Sequence, residues 1–160
     1  MTTLQATNQK YEVVDGNLLI TGPQPPGHQA AVVALMIALK QACPPGLMVA
    51  LGSIAYRPTP NTTLRPDLLV CPRDYTPTQP PLLAVEVLSP ATRTTDIVLK
   101  RTLYEHHQVP TYWLLDPTTQ ELTVLHLTHT TYTCQAVVQP EQPFHTTTPF
   151  PLTLTPANLH

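Results

Sequence analysis

The clearest chemical signal in this sequence is a carboxylate inside an apolar segment. The stretch LLAVEVLSP, residues 82–90, is almost continuously apolar, closes at Pro90 and carries Glu86 in its middle. A run of this kind is typical of a strand buried on both faces of a sheet. Because burying an unpaired ionised carboxylate is very costly, Glu86 is expected to be paired, protonated or bound to a cation.

A second carboxylate is placed to meet it. Asp67 lies in LRPDLLV, directly after Pro66, and opens another predicted apolar strand. If the two strands are neighbours, Asp67 and Glu86 converge on one position. Hard cations such as Mg²⁺ are bound through one or two carboxylates together with water and substrate phosphates. The pair therefore predicts a cation site.

A stripe of polar side chains on a predicted helix adds a positive charge. In TDIVLKRTLY, Asp96, Lys100 and Tyr104 recur at i, i+4 and i+8 and share one face of the helix. A lysine beside a bound cation can orient the activated water or stabilise charge on a scissile phosphate. Lys100 is the candidate for this role.

Taken singly, these residues have ordinary structural explanations. Asp67 after a proline could simply begin a strand, and Lys100 could be a surface residue paired with Asp96, worth about 0.2–0.5 kcal/mol. Glu86 could form a buried ion pair with Lys100 or Arg93 without catalysis, in which case Glu86→Gln would destabilise the protein markedly. Tyr104 alone indicates packing. Only the combination indicates catalysis.

The elements that must position these residues are predicted from periodicity and turn signals. The Asp-Gly in YEVVDGNLLITG predicts an N-terminal hairpin, and Pro-Pro-Gly ends the first helix. The stretches RPTPNTTLRP and CPRDYTPTQPP are predicted to be loops. The predicted strands are 10–14, 17–21, 47–56, 67–71, 82–88, TYWLLD, ELTVLHL and YTCQAVV, and the predicted helices are 28–42 and 94–107.

This alternation predicts an α/β domain with a central mixed sheet flanked by helices. A chain of 160 residues is about one domain, so residues 1–160 are treated as a single unit. The Pro- and Thr-rich stretch 139–160 is predicted to be a C-terminal extension with at most one short strand.

Composition limits the classes of function. The chain has 42% hydrophobic residues without a long unbroken apolar run, and its first residues carry no apolar signal segment, which predicts a cytoplasmic protein with no membrane partner. Its three cysteines are far apart and indicate neither disulfides nor zinc. Eight Lys and Arg residues and a net charge of −2 give no strongly basic surface, so any DNA contact must be local or assisted by a cation.

Several motifs in this order resemble a known group of enzymes. RPD, VEVLSP, D-x3-K-x3-Y and VPTYWLLDP, preceded by YEVVDGNLLI and PGHQ, resemble the PD-(D/E)XK nuclease superfamily and, within it, the Uma-two family, over roughly residues 10–128. The resemblance implies a restriction-endonuclease-like fold, Mg²⁺- or Mn²⁺-dependent cleavage of DNA, and a homodimer. It also implies that Asp67 and Glu86 are both metal ligands.

Two departures from the superfamily pattern affect the candidate site. Leu88 stands where the superfamily usually has lysine, and the resemblance implies that Lys100 takes its place. The first predicted helix has no acidic residue to hold metal; His28 and Gln29 are the candidate replacements, the resemblance favours His28, and Glu12 is a further candidate.

A different class of function is also compatible with the sequence. The low content of Lys and Arg favours a binding or structural module that keeps a nuclease fold with little activity. The active enzyme and the binding module predict different geometries of the site. An active enzyme is expected to place Asp67 and Glu86 within reach of one cation, with Lys100 facing them across an open cleft, whereas a binding module predicts a closed cleft and an exposed apolar patch.

Overall fold

The computed structural model describes residues 9–160, and this part of the chain contains twelve strands and few helices. The helical segments are α1 Pro26–Ala42, a π-helical segment Thr95–Lys100, α2 Arg101–His106 and a 3-10 turn Pro156–Asn158. The strands are β1 Lys10–Val14, β2 Asn17–Thr21, β3 Leu47–Leu51, β4 Tyr56–Thr59, β5 Thr62–Leu64, β6 Leu68–Pro72, β7 Leu83–Val87, β8 Thr111–Asp116, β9 Glu121–Thr128, β10 Thr131–Val138, β11 Phe144–Thr146 and β12 Leu152–Leu154.

The central sheet has six strands in the order β10-β9-β8-β7-β6-β3. Strands β7 and β8 are parallel, and every other neighbouring pair in this sheet is antiparallel. The predicted mixed sheet is therefore confirmed. Strand β7, which carries Glu86, lies inside the sheet and is buried along its whole length.

The two faces of the sheet are covered differently. Helix α1 and the C-terminal β11–β12 hairpin pack on one face, where Leu83, Val85 and Val87 join the larger hydrophobic core. Because side chains alternate along a strand, Glu86 points to the other face. That face is covered by the π-helical segment, α2 and side chains of a second sheet, of order β2-β1-β5-β4.

The N-terminal hairpin has the predicted bounds. Strands β1 and β2 pair antiparallel from Lys10 with Thr21 to Val14 with Asn17. Asp15 and Gly16 both have positive φ, 49° and 81°, as the two central residues of a type I′ turn require. The hairpin fixes the direction of β1 side chains, which matters for the site.

Several predicted boundaries are wrong. Strand 47–56 is divided, since β3 ends at Leu51 and a separate strand, β4, starts at Tyr56. Most of RPTPNTTLRP, predicted as a loop, forms the β4–β5 hairpin, whose β4 is an edge strand and so accommodates Pro58. Helix α1 starts two residues early, at Pro26, where proline suits the first turn.

The C-terminal region also differs from its prediction. Residues 139–160 contain two strands rather than one, and Phe150, Leu152, Leu154 and Leu159 are buried in the larger core. This stretch is therefore part of the folded domain. Within residues 9–160, no helix has the length and apolar character needed to cross a membrane.

Candidate active site

Three strands and one helical segment bring the candidate residues together. Strands β6 and β7 pair antiparallel, with Leu68 opposite Val85, so Asp67 lies one step beyond that pair and beside Glu86. Glu12 lies on β1, which packs over this face of the sheet. The π-helical segment carries Asp96 and Lys100. Such segments are rare and are found disproportionately at functional sites.

Asp67 is held by three donors. Its Oδ2 accepts a hydrogen bond from the backbone N–H of Val87 at 2.8 Å and lies 3.2 Å from His28 Nε2, while Oδ1 lies 3.1 Å from the ammonium of Lys10. Burial opposes ionisation of Asp67. The hydrogen bond from His28, the Lys10 charge and the Val87 N–H nevertheless hold its pKa well below the usual range.

Glu86 is buried, with 1% of its surface exposed, and its two oxygens face different ways. Oε1 accepts hydrogen bonds from Lys100 Nζ at 2.9 Å and from Tyr104 Oη at 3.2 Å. Oε2 lies 3.5 Å from Lys10 Nζ. Burial raises the pKa of Glu86 to about 8, against the lowering effect of the two ammonium groups.

Lys100 is enclosed by carboxylates. Its ammonium lies 2.9 Å from Glu86, 3.0 Å from Glu12 and 3.3 Å from Asp96, and 2% of the side chain is exposed. Burial disfavours the charged lysine, but Glu86, Glu12 and Asp96 together raise its pKa well above the ordinary value. An ammonium has three N–H donors, and here three carboxylates surround it. Lys100 therefore meets Glu86, as expected, but from the protein interior instead of across an open cleft.

The carboxylates around Lys100 have further contacts. Glu12 Oε1 accepts a hydrogen bond from the Arg65 backbone N–H at 2.6 Å, and its other oxygen faces Lys100. The Tyr112 hydroxyl donates to the backbone carbonyl of Asp96 at 2.9 Å. Burial raises the pKa of Asp96, although Lys100 partly offsets the effect. This group, hereafter the inner cluster, consists of Lys100, Glu12, Glu86, Asp96 and Tyr104.

Lys10 was missed by sequence reasoning and contacts both predicted metal ligands. It lies two residues before Glu12 on β1 and therefore points to the same face. Its ammonium bridges Asp67 Oδ1 and Glu86 Oε2, and 23% of its side chain is exposed. The alternation of Lys10 and Glu12 in a strand that opens a predicted hairpin was the available signal, but nothing local indicated which surface β1 would cover.

Lys10 also borders an open groove of about 820 Å³. Asp67, His28, Gln29 and Arg65 line the same groove. Glu86 and Lys100 line a separate cavity of about 10 Å³, no larger than one water molecule needs, which Lys10, Asp67 and His28 also border. The site thus has an outer part that solvent reaches and an inner part that it does not.

The capacity of the site for a cation depends on the oxygens that are available. Over residues 9–160, no group of three His, Cys, Asp or Glu side chains has metal-binding geometry. Asp67 Oδ1 and Glu86 Oε2 nevertheless face one ammonium group, and four carboxyl groups surround two lysines. Two carboxylate oxygens that face one position, one of them from Asp67 at the groove, and an excess of acidic groups suit a cation such as Mg²⁺, which keeps several waters.

Arg93, a possible partner of Glu86, lies elsewhere. Its guanidinium pairs with Asp116, whose Oδ1 accepts hydrogen bonds from the backbone N–H groups of Thr118 and Thr119. Asp116 therefore organises the turn after β8, as an Asp-Pro sequence predicts. Glu86 takes its buried positive charge from Lys100 and Lys10.

The arrangement of the strands and helices matches a known class of fold. A crystal structure from Anabaena variabilis ATCC 29413, described as a "putative nuclease belonging to DUF820", superposes with a TM-score of 0.78 at 19% sequence identity, covering 98% of this chain and 92% of that one. The present chain has a restriction-endonuclease-like fold. At this identity the likeness establishes the fold alone.

A family model defines the chain more closely. Residues 1–158 match the model of the Uma2 family, described as "Putative restriction endonuclease", and the chain belongs to this family. The match extends beyond residue 128, where the resemblance seen in the sequence ends, and includes the C-terminal hairpin. No curated protein matches the sequence.

Proposed function

We propose that this protein is a nuclease that hydrolyses DNA phosphodiester bonds with the help of Mg²⁺ or Mn²⁺ bound by Asp67 and Glu86. The observation that carries the proposal is that Asp67 Oδ1 and Glu86 Oε2 both face one position, that of the Lys10 ammonium, and that Asp67 and Lys10 line an open groove. A cation bound there would lower the pKa of a coordinated water and stabilise charge on the phosphate. Membership of the Uma2 family supports nuclease activity.

The chain's own groups supply orientation. The Val87 N–H and His28 hold Oδ2 of Asp67, which leaves Oδ1 turned towards the proposed cation position. Lys100 and Tyr104 hold Oε1 of Glu86 and leave Oε2 turned the same way. Lys100 is thus proposed as a positioning residue, in place of the direct contact with water or phosphate that the sequence suggested.

The proposed reaction is tested by cleavage of plasmid DNA with Mg²⁺, with Mn²⁺ and with a chelator. Asp67→Asn and Glu86→Gln are expected to reduce the rate at least about 100-fold, since charge stabilisation by a bound cation contributes several kcal/mol. Asp74→Asn and Glu141→Gln, at exposed positions, are the matched controls. Equal activity of Asp67→Asn and Asp74→Asn would remove Asp67 from the site.

Calorimetry and unfolding separate this assignment from a purely structural ion network. Glu86→Gln is expected to lose Mn²⁺ binding while keeping most of its stability, because Lys100 retains Glu12 and Asp96 as partners. A severe loss of stability with unchanged Mn²⁺ binding would favour the structural network instead.

The alternative is a nuclease-fold binding module with little or no activity. The small number of basic residues favours it; Lys10 and Arg65 are the Lys and Arg side chains among the described residues that line the groove. Retained DNA binding, with no cleavage in either cation and no effect of Asp67→Asn on that binding, is the result that would establish this alternative.

A homodimer is part of the proposal. On the outer face of the β1–β2 hairpin, Tyr11, Leu18 and Ile20 are 45%, 58% and 54% exposed, and Tyr11 pairs with Ile20 across the strands. Exposed apolar patches of this kind mark association surfaces. Light scattering is expected to show a dimer that Leu18→Asp converts to a monomer, while Val98→Asp, at an equally exposed position on the π-helical segment, leaves it intact.

A further inference from the structure

We propose that Lys10 is a built-in substitute for the cation: its ammonium holds Asp67 and Glu86 when no cation is bound, and it moves into the groove when one binds. The proposal rests on the proposed cation site. It assigns to Lys10 a competitive role in cation binding and, after displacement, a contact with the substrate phosphate.

Each of the two carboxylates has one oxygen held by other groups and one oxygen that faces Lys10. Asp67 Oδ2 is occupied by Val87 N–H and His28, and Glu86 Oε1 by Lys100 and Tyr104. The remaining two oxygens, Asp67 Oδ1 and Glu86 Oε2, are those that Lys10 contacts at 3.1 and 3.5 Å. A cation that uses both carboxylates must therefore take the position of the Lys10 ammonium.

The Lys10 ammonium can leave its two carboxylates, whereas the Lys100 ammonium cannot leave its three. Lys100 is 2% exposed and is surrounded by three carboxylates, so moving it would strand several buried charges. Lys10 is 23% exposed, contacts two carboxylates and borders the groove. Its four-carbon side chain is flexible, so its ammonium can reach water without movement of β1.

Acidic groups outnumber the ammonium groups around the two lysines. Four carboxyl groups, Glu12, Asp67, Glu86 and Asp96, stand against two ammonium groups, which leaves a formal excess of two acids when all are ionised. A divalent cation matches this excess if Lys10 remains nearby. Released into the groove beside Arg65, the Lys10 ammonium would face the space proposed for a phosphate.

The first experiment measures Mn²⁺ affinity by calorimetry in the full chain, without DNA, for wild type, Lys10→Met and Lys40→Met. Lys40 is exposed at the end of α1, so its substitution is a control for the loss of one positive charge. Lys10→Met is expected to bind Mn²⁺ at least about tenfold more tightly than wild type, because the ammonium no longer competes for the two oxygens. Lys40→Met is expected to stay within about twofold of wild type.

The results separate this inference from the proposed function. Equal or weaker Mn²⁺ binding by Lys10→Met, together with loss of binding in Asp67→Asn, would overturn the competitive role of Lys10 and keep the cation site. Absence of binding in both wild type and Lys10→Met would overturn the cation site and the inference together.

A second experiment needs no variant and is therefore independent of any folding defect in Lys10→Met. The lysines of the chain are Lys10, Lys40 and Lys100, and their reaction with an amine-specific reagent can be followed individually by mass spectrometry. Saturating Mn²⁺ is expected to raise the labelling rate of Lys10 several-fold and to leave Lys40 unchanged. An unchanged or lower rate at Lys10 under Mn²⁺ would show that it is not displaced.

Discussion

Lys100 and Lys10 contact the same carboxylate, Glu86, from opposite sides and in different surroundings. Lys100 meets Oε1 within the inner cluster, where three carboxylates enclose it. The Lys10 ammonium contacts Oε2 and also contacts Asp67 Oδ1, and Lys10 borders the groove. One side of the site is a closed ion network, and the other side faces solvent.

This difference bears on how a carboxylate can serve both stability and chemistry. A buried charge is tolerated when its hydrogen-bonding capacity is met, and the inner cluster meets it for one oxygen of Glu86. The other oxygen is paired with a solvent-accessible lysine and so remains available for exchange. Substitutions on the two sides of Glu86 are therefore expected to differ in their effects on stability.

Removal of the inner lysine is expected to have the largest effect. Lys100→Met leaves Glu12, Glu86 and Asp96 buried without their shared positive charge, which is expected to lower the free energy of unfolding by about 3–5 kcal/mol. Lys10→Met is expected to lower it by less, about 1–3 kcal/mol, because one oxygen each of Asp67 and Glu86 loses its partner. Urea unfolding measures both, with Lys40→Met as the exposed control.

If Lys10→Met proved as destabilising as Lys100→Met, the distinction between a closed and an exchangeable side would be lost. If both variants were as stable as wild type, the carboxylates would have to be protonated in the folded protein.

Removal of the Tyr104 hydroxyl from the inner cluster is expected to have a smaller effect on stability. Tyr104→Phe removes the hydroxyl that donates to Glu86 Oε1 and keeps the ring in the core, so the expected loss is about 1–2 kcal/mol of unfolding free energy. Tyr11→Phe is the control, because its hydroxyl contacts Gln9 at the surface. Thermal and urea unfolding that fail to distinguish the two variants would mean that Glu86 does not need this donor.

Asp67, on the groove side of the site, is expected to affect how the stability of the protein depends on pH. The pKa of Asp67 is lowered in the folded protein, so its ionised form stabilises the fold above the ordinary carboxyl value of 3.8, and this contribution is lost as the pH falls below it. Between pH 5 and pH 3, wild type is expected to lose about 1 kcal/mol relative to Asp67→Asn.

Asp74→Asn, whose carboxylate is exposed, serves as the reference over the same pH range. Parallel curves for wild type and Asp67→Asn would mean that His28, Lys10 and Val87 do not stabilise the ionised form of Asp67.

The parts of the fold that could be predicted have strong local signals. The Asp-Gly turn fixed the β1–β2 hairpin to the residue, and the continuous apolar run LLAVEV located β7. The β4–β5 hairpin was missed because its strands are only four and three residues long and contain a proline. Their stability comes from pairing with β1 and from burial of Tyr56 and Leu64, which are non-local.

The apolar run around Glu86 is enough to predict that this carboxylate has partners, because an unpaired carboxylate within an apolar strand is unstable. Asp67 is a candidate because it opens an apolar strand after Pro66, and Asp96, Lys100 and Tyr104 are candidates because they recur at helical spacing. That Lys100 approaches Glu86 from the interior and Lys10 from the groove side could not be predicted, because both positions depend on how distant segments pack. The reason is physical: side-chain periodicity is local, whereas the way β1 packs against the central sheet depends on contacts between residues far apart in the chain.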